Sequence, residues 1–174
     1  MHQKLPSSIC GVAALAVLGL MSPLHAQAAT ATATFQVTAT VLKACLVTTP
    51  ATLAFGSYTP STGTAATATT AFNVTCTFDT TYSVGLSAGA STGATVTTRK
   101  MTSPTAPAGN NTLAYGLFKD SGYLTNWDNS TTGTGYTGNG LPQPYTIYGS
   151  IPISQYAAAP ATDYADTITL TLTY

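Results

Sequence analysis

No glutamate occurs anywhere in this chain, and its two histidines, His2 and His25, both fall within the first 28 residues, together with Cys10 and Lys4. Beyond that point the charged residues are Lys43, Arg99, Lys100 and Lys119 against Asp79, Asp120, Asp128, Asp163 and Asp166, a formal charge of −1. With no His, no Glu and no surplus Cys, the usual residues of general acid–base, zinc and thiol chemistry are missing. An enzyme is therefore the least expected class, and no cofactor or metal is implied. A near-neutral chain equally lacks the basic patch that nucleic acid or an anionic membrane surface demands. Long hydrophobic runs are scarce too: past residue 28 none reaches the roughly 20 residues of a membrane-spanning helix.

What residues 1–28 do contain is the pattern of a secretory signal. Lys4 supplies the positive start, Ile9 to Met21 is an apolar run broken only by glycine, and Ala26-Gln27-Ala28 fits a small-residue cleavage site. The run is too short for a permanent anchor. The mature chain is expected to begin near Ala29 and to be one exported domain, with no direct membrane insertion.

Two cysteines then remain, Cys45 and Cys76. An even pair in an oxidising compartment is most simply one disulfide, tying the segment after the first strand to a later strand. A metal site would need more ligands than two thiolates, and the spacing is not that of a redox motif.

The strongest pattern is Thr30 to Val41, where Ala31, Ala33, Phe35, Val37, Ala39 and Val41 alternate with Thr or Gln. Strict period-two alternation predicts a strand with one apolar and one polar face. At about 3.3 Å per residue it would span roughly 40 Å, long for a small domain. Its apolar face could complete a second copy of the molecule, or the stretch could be an ordinary first strand of its own sheet. Further strands are expected at Leu53–Tyr58, which ends in a glycine turn, and at Ala71–Phe78, with Phe72, Val74, Cys76 and Phe78 on the inward face. Tyr82, Val84, Leu86 and Ala88 continue the alternation, with Asp79-Thr80-Thr81 as a hairpin turn between. Leu113–Phe118, Tyr145–Ile153 and the closing Ile168, Leu170, Leu172 and Tyr174 complete the set. Residues 87–98 and 103–111 read as irregular, Thr62–Thr70 as edge and loop material, and Thr125–Gln143 as a long surface loop. Short strands separated by such clusters indicate an all-β sandwich.

Three features admit a functional reading beside a plain one. Tyr123, Trp127 and Tyr136 could form a sugar-binding surface, or simply cap a core. Arg99 and Asp166 could be a site, or a structural charge pair. Asp163 and Asp166 alone are too few ligands for calcium.

In order, ATFQVTATV, Cys45, Phe55-Gly56-Ser57-Tyr58, Cys76 within NVTC, Arg99-Lys100-Met101 and Tyr115-Gly116-Leu117-Phe118-Lys119-Asp120 form a series of landmarks. Trp127, Ile147-Tyr148-Gly149-Ser150-Ile151-Pro152 and Tyr164-Ala165-Asp166-Thr167-Ile168-Thr169-Leu170 complete it. The series resembles the spore coat protein U domain family, which includes the Csu-type pilins of archaic chaperone-usher pili. Two departures fall in loops: Thr162 stands where glycine is expected, and Asp128 where glycine is common.

The resemblance implies an incomplete immunoglobulin-like β-sandwich lacking its last strand, with an N-terminal donor strand. The expected organisation is a signal peptide at 1–28, a donor extension at 29–42 and the sandwich at 43–174. With no residues after Tyr174 to supply another strand, Ile168, Leu170, Leu172 and Tyr174 would border an acceptor groove. That groove would be filled first by a periplasmic chaperone and then by Ala31 to Val41 of the next subunit, with Phe35, Val37 and Val41 as the large plugs. The implied partners are copies of the chain itself, the chaperone and an outer-membrane usher. The implied product is an extracellular pilus for surface adhesion and biofilm formation. A non-filamentous coat protein and a secreted carbohydrate-binding module are the alternatives.

Overall fold

The computed structural model describes residues 28–174, so the signal read over residues 1–28 lies outside the described residues but for its last. The chain divides into two units, one ending at Ala39 and one running Thr40–Tyr174. In the first, residues 28–39 form neither helix nor strand, and Phe35 and Val37 are 88% and 81% exposed. The alternating stretch thus has no ladder partner among the described residues. No helix there is long and apolar enough to cross a membrane.

The second unit holds eight strands: β1 Cys45–Val47, β2 Ala66–Cys76, β3 Thr81–Leu86, β4 Arg99–Thr102, β5 Thr112–Phe118, β6 Tyr136–Thr137, β7 Gln143–Ile151 and β8 Leu170–Thr173. They form a five-stranded sheet in the order β1-β2-β7-β5-β4 and a three-stranded sheet in the order β6-β3-β8, with antiparallel pairing throughout. The longest ladder pairs β2 with β7, from Ala66 opposite Ile151 to Val74 opposite Gln143. Alternation decides what it buries: Phe72, Val74 and Cys76 from β2 meet Ile147 and Ile151 from β7. Leu113, Tyr115 and Leu117 of β5 and Tyr82, Val84 and Leu86 of β3 complete that core. Cys45 stands opposite Cys76 in the β1–β2 register, and the two form the expected disulfide.

Four expectations change. β2 begins at Ala66, inside the stretch read as loop, because its Thr/Ala alternation continues into the NVTC strand. Asp79-Thr80-Thr81 is not a hairpin turn, since β2 and β3 belong to different sheets. It is a corner, with Asp79 at φ 61 and the Thr80 N–H donating to Thr77 O at 3.1 Å. Ending β2 at Cys76 breaks the alternation, so Phe78 is 80% exposed rather than inward. Finally, Leu53–Tyr58 makes no ladder, although Leu53, Phe55 and Tyr58 pack against the core.

β3 is buried on both faces, Ser83 included. The reason is residues 125–133, read from sequence as a surface loop but folded over the three-stranded sheet. A Cβ on Gly85 would stand 2.7 Å from Ser130 O, and the Gly133 N–H donates to Ser83 Oγ at 3.0 Å.

Candidate functional site

Two crossings of the chain frame the interior. In the first, Trp127 N–H donates to Leu117 O of β5 at 2.8 Å, and one residue later Asp128 O accepts Leu86 N–H of β3, also at 2.8 Å. Trp127 is dragged inside by this step and is 1% exposed, packed on Phe72 with its indole N–H donating to Val84 O at 3.1 Å. Tyr136 packs on Tyr82 and Tyr145, and Tyr123 on Phe118. These aromatics fill and cap a core, and Trp127 presents no face to a sugar.

Arg99 secures the same corner. Its side chain is fully buried, and the guanidinium donates to the carbonyls of Ser87 at 2.8 Å, Val96 at 2.6 Å, Leu86 at 2.9 Å and Trp127 at 2.8 Å. Burial lowers its pKa, opposed by nearby Tyr115, Asp166 and Asp128. Arg99 makes no direct ion pair with Asp166; among the described residues the one salt bridge is Lys119 to Asp128 at 3.5 Å. Asp163 accepts the hydroxyls of Ser103 and Thr105, which hold its carboxyl below the usual range. Asp120 is lowered by the backbone N–H groups of Thr125, Leu124 and Gly122. No group of three or more His, Cys, Asp or Glu comes together among the described residues.

On another side the sandwich is open. A groove of about 1180 Å³ runs between residues 49–60 and the segment leading into β8. Its floor is the core itself, lined by Leu86, Leu113, Tyr115, Leu117, Ile147 and Ile151, which stay buried beneath it. Leu53 and Phe55 form one border, and they fit because β7 carries Gly149 there. A Cβ at that position would stand 2.8 Å from Leu53 Cδ2 and from Phe55 Cζ. Ile168 and Leu170 line the opposite border; Leu172 and Tyr174 do not reach the groove.

Both borders leave backbone groups free. From Ala51 to Tyr58 no backbone N–H has a partner among the described residues, and the Ala51 carbonyl accepts only the Thr70 hydroxyl, at 2.7 Å. Across the groove the Ile168 N–H is likewise without a partner among the described residues. An apolar floor flanked by unpaired backbone is the arrangement that accepts an extended peptide as an added strand. Asp166 is the one charged residue in the lining, so an occupant should carry little charge. The 49–60 border was missed from sequence as part of a site. The signal was present in Leu53 and Phe55 alternating between Pro50 and Pro60.

Residues 31–171 match the Spore Coat Protein U domain family, and the chain belongs to it. Protein U of Myxococcus xanthus is 36% identical over 182 aligned positions, covering 97% of each chain. Among solved structures the fold matches a chain from the CsuC–CsuE chaperone–tip adhesion subunit pre-assembly complex of the archaic chaperone-usher Csu pili of Acinetobacter baumannii. That match has a TM-score of 0.52 at 23% identity and covers 78% of this chain but 40% of the other. The fold is thus an all-β, immunoglobulin-like sandwich.

Proposed function

We propose that this chain is a structural subunit that polymerises by strand donation, residues 30–41 of one copy filling the groove of the next. The observation that carries the reading is the groove itself, a cleft that reaches the core and is bordered by residues 51–58 and by Ile168, whose backbone N–H groups have no partner among the described residues. Thr30 to Val41 suits it: the segment is uncharged, alternates throughout and has no ladder of its own among the described residues. Burying Phe35, Val37 and Val41 would contribute roughly 1.5–3 kcal/mol each before ordering costs. Ala31, Ala33 and Ala39 add less and let the strand lie close. Because donor and acceptor are different surfaces, the contact does not close on itself and grows a filament.

On this reading residues 1–28 are a signal, 29–42 the donor arm and 43–174 the acceptor sandwich. An open apolar groove and a free backbone edge require cover before assembly, which a periplasmic chaperone supplies by occupying the groove. An outer-membrane usher then exchanges chaperone for arm. The product is an extracellular pilus serving adhesion and biofilm formation. The likeness to a chain of a chaperone–tip adhesion subunit complex supports this, as does family membership.

A non-filamentous coat component is the second reading, favoured by the name of the family, the Spore Coat Protein U domain. Electron microscopy of cells producing the protein with its secretion partners separates the two. Thin fibres that vanish on deletion of residues 30–41 support strand donation, and a fibre-free surface layer supports the coat.

A further inference from the structure

The final segment also changes sheets. Ala165 exchanges backbone hydrogen bonds with Thr102 of β4, at 2.9 and 3.2 Å, whereas Thr169 O accepts the Ser87 N–H just beyond β3 at 2.9 Å. The backbone between them crosses from one sheet to the other and forms one border of the groove. Asp166 fixes that crossing. Its Oδ2 accepts the Tyr115 phenol at 2.6 Å, and its Oδ1 accepts the N–H groups of Ala90 at 2.7 Å and Thr167 at 2.8 Å. Gly89, at φ 92, makes the approach possible, since a Cβ there would collide with the carboxylate. Tyr115 projects from β5, opposite Arg99 of β4. Burial and the Asp166 carboxylate raise its pKa, so the phenol stays a donor.

We propose that Asp166 and Tyr115 form a clasp that holds the C-terminal border of the groove open for an incoming strand, which makes Asp166 a positioning residue for assembly. The inference rests on the strand-donation reading above. An empty apolar groove favours collapse of its own wall, because Ile168 and Leu170 gain burial by moving inward. A polar tether that fastens the border to Tyr115 on the floor and to the Ala90 backbone outside the groove opposes that movement. When only part of the population is open, strand uptake is weakened by the closed fraction, and holding the border in place removes that cost in advance. Once a strand is inserted, its own pairing and packing hold the border. The clasp therefore matters to the rate of filling more than to the stability of the filled subunit.

The test uses the full chain in two forms. The unaltered form is followed for growth of detergent-resistant polymer. A second form carries an additional copy of residues 30–41 linked after Tyr174, filling its own groove, and is followed for melting temperature. Tyr115→Phe is expected to slow polymer growth about tenfold, the value of one lost charge-assisted hydrogen bond, and Asp166→Ala, which removes three, by at least as much. The double substitution should be no slower than the slower single one. Asp166→Asn, which keeps an acceptor for the two N–H groups, should recover part of the rate. Melting of the self-filled variants should stay within a few degrees of the parent. Unchanged growth, or slowing matched by an equal loss of stability in the self-filled form, would overturn the clasp. Absence of polymer from the unsubstituted chain would instead sink strand donation itself, a result read without any clasp variant.

Discussion

The Arg99 guanidinium donates to the main-chain carbonyl of Trp127 at 2.8 Å, and the Trp127 indole N–H donates in turn to Val84 O at 3.1 Å. A residue from the edge of one sheet thereby fixes the crossing that closes the sandwich onto the other. The closed side of the fold depends on this pair, and the open side is where the groove lies.

Arg99→Met keeps the bulk but leaves four carbonyls without their donor. Each buried acceptor so stranded costs about 1–3 kcal/mol. The expected loss is at least about 3 kcal/mol, measured by urea unfolding of the self-filled chain. Arg99→Lys should rescue little, since one ammonium cannot span four acceptors.

The Cys45–Cys76 bond spans a sequence separation of 31. The chain-entropy relation gives about 3–4 kcal/mol for such a loop. Replacing both cysteines by alanine should lower stability by that amount in denaturant titrations. Adding reductant to that variant should then have no further effect.

Asp163 has its pKa depressed by Ser103 and Thr105. A depressed carboxyl contributes stability that is complete above the ordinary aspartate value and is lost as pH falls through the lower folded value. Asp163→Asn should lower stability at neutrality and leave it little changed at strongly acidic pH, which flattens the acid limb between. Unfolding midpoints collected from neutral to strongly acidic pH check this.

Gly149 seats Leu53 and Phe55 against β7. Gly149→Ala should push both side-chain ends toward the groove, at a cost of about 1–3 kcal/mol typical of overpacking. Uptake of a synthetic 30–41 peptide by the unassembled chain should weaken. Calorimetric or fluorescence titration gives the change, and Leu53→Ala in the same background should relieve it.

How much of this was legible in the residues depends on the range of the interactions involved. Strands β2, β5, β7 and β8 announced themselves by local alternation, and Cys45 and Cys76 by their even number past residue 28. The corner at Asp79 was mistaken for a hairpin because a short polar link looks the same whether the next strand pairs or changes sheets. Trp127 sat among Asn, Thr and Gly and read as surface. Its burial is imposed by Leu117 and Leu86, which pull the flanking backbone onto two sheets. Arg99 gave no hint that its partners would be carbonyls, since backbone acceptors carry no sequence signature. The groove was half visible. Ile168 and Leu170 lie where the C-terminal alternation put them, whereas the 51–58 border makes no ladder and so lacked a strand's full pattern.

The most direct test of the central claim is a cryo-electron microscopy reconstruction of polymer assembled from the unaltered chain. Strand donation predicts residues 30–41 of each copy lying as a strand between residues 51–58 and 166–170 of its neighbour, with Phe35 and Val37 on the apolar floor. A filament in which that groove is empty, or is filled by the copy's own residues, would contradict it.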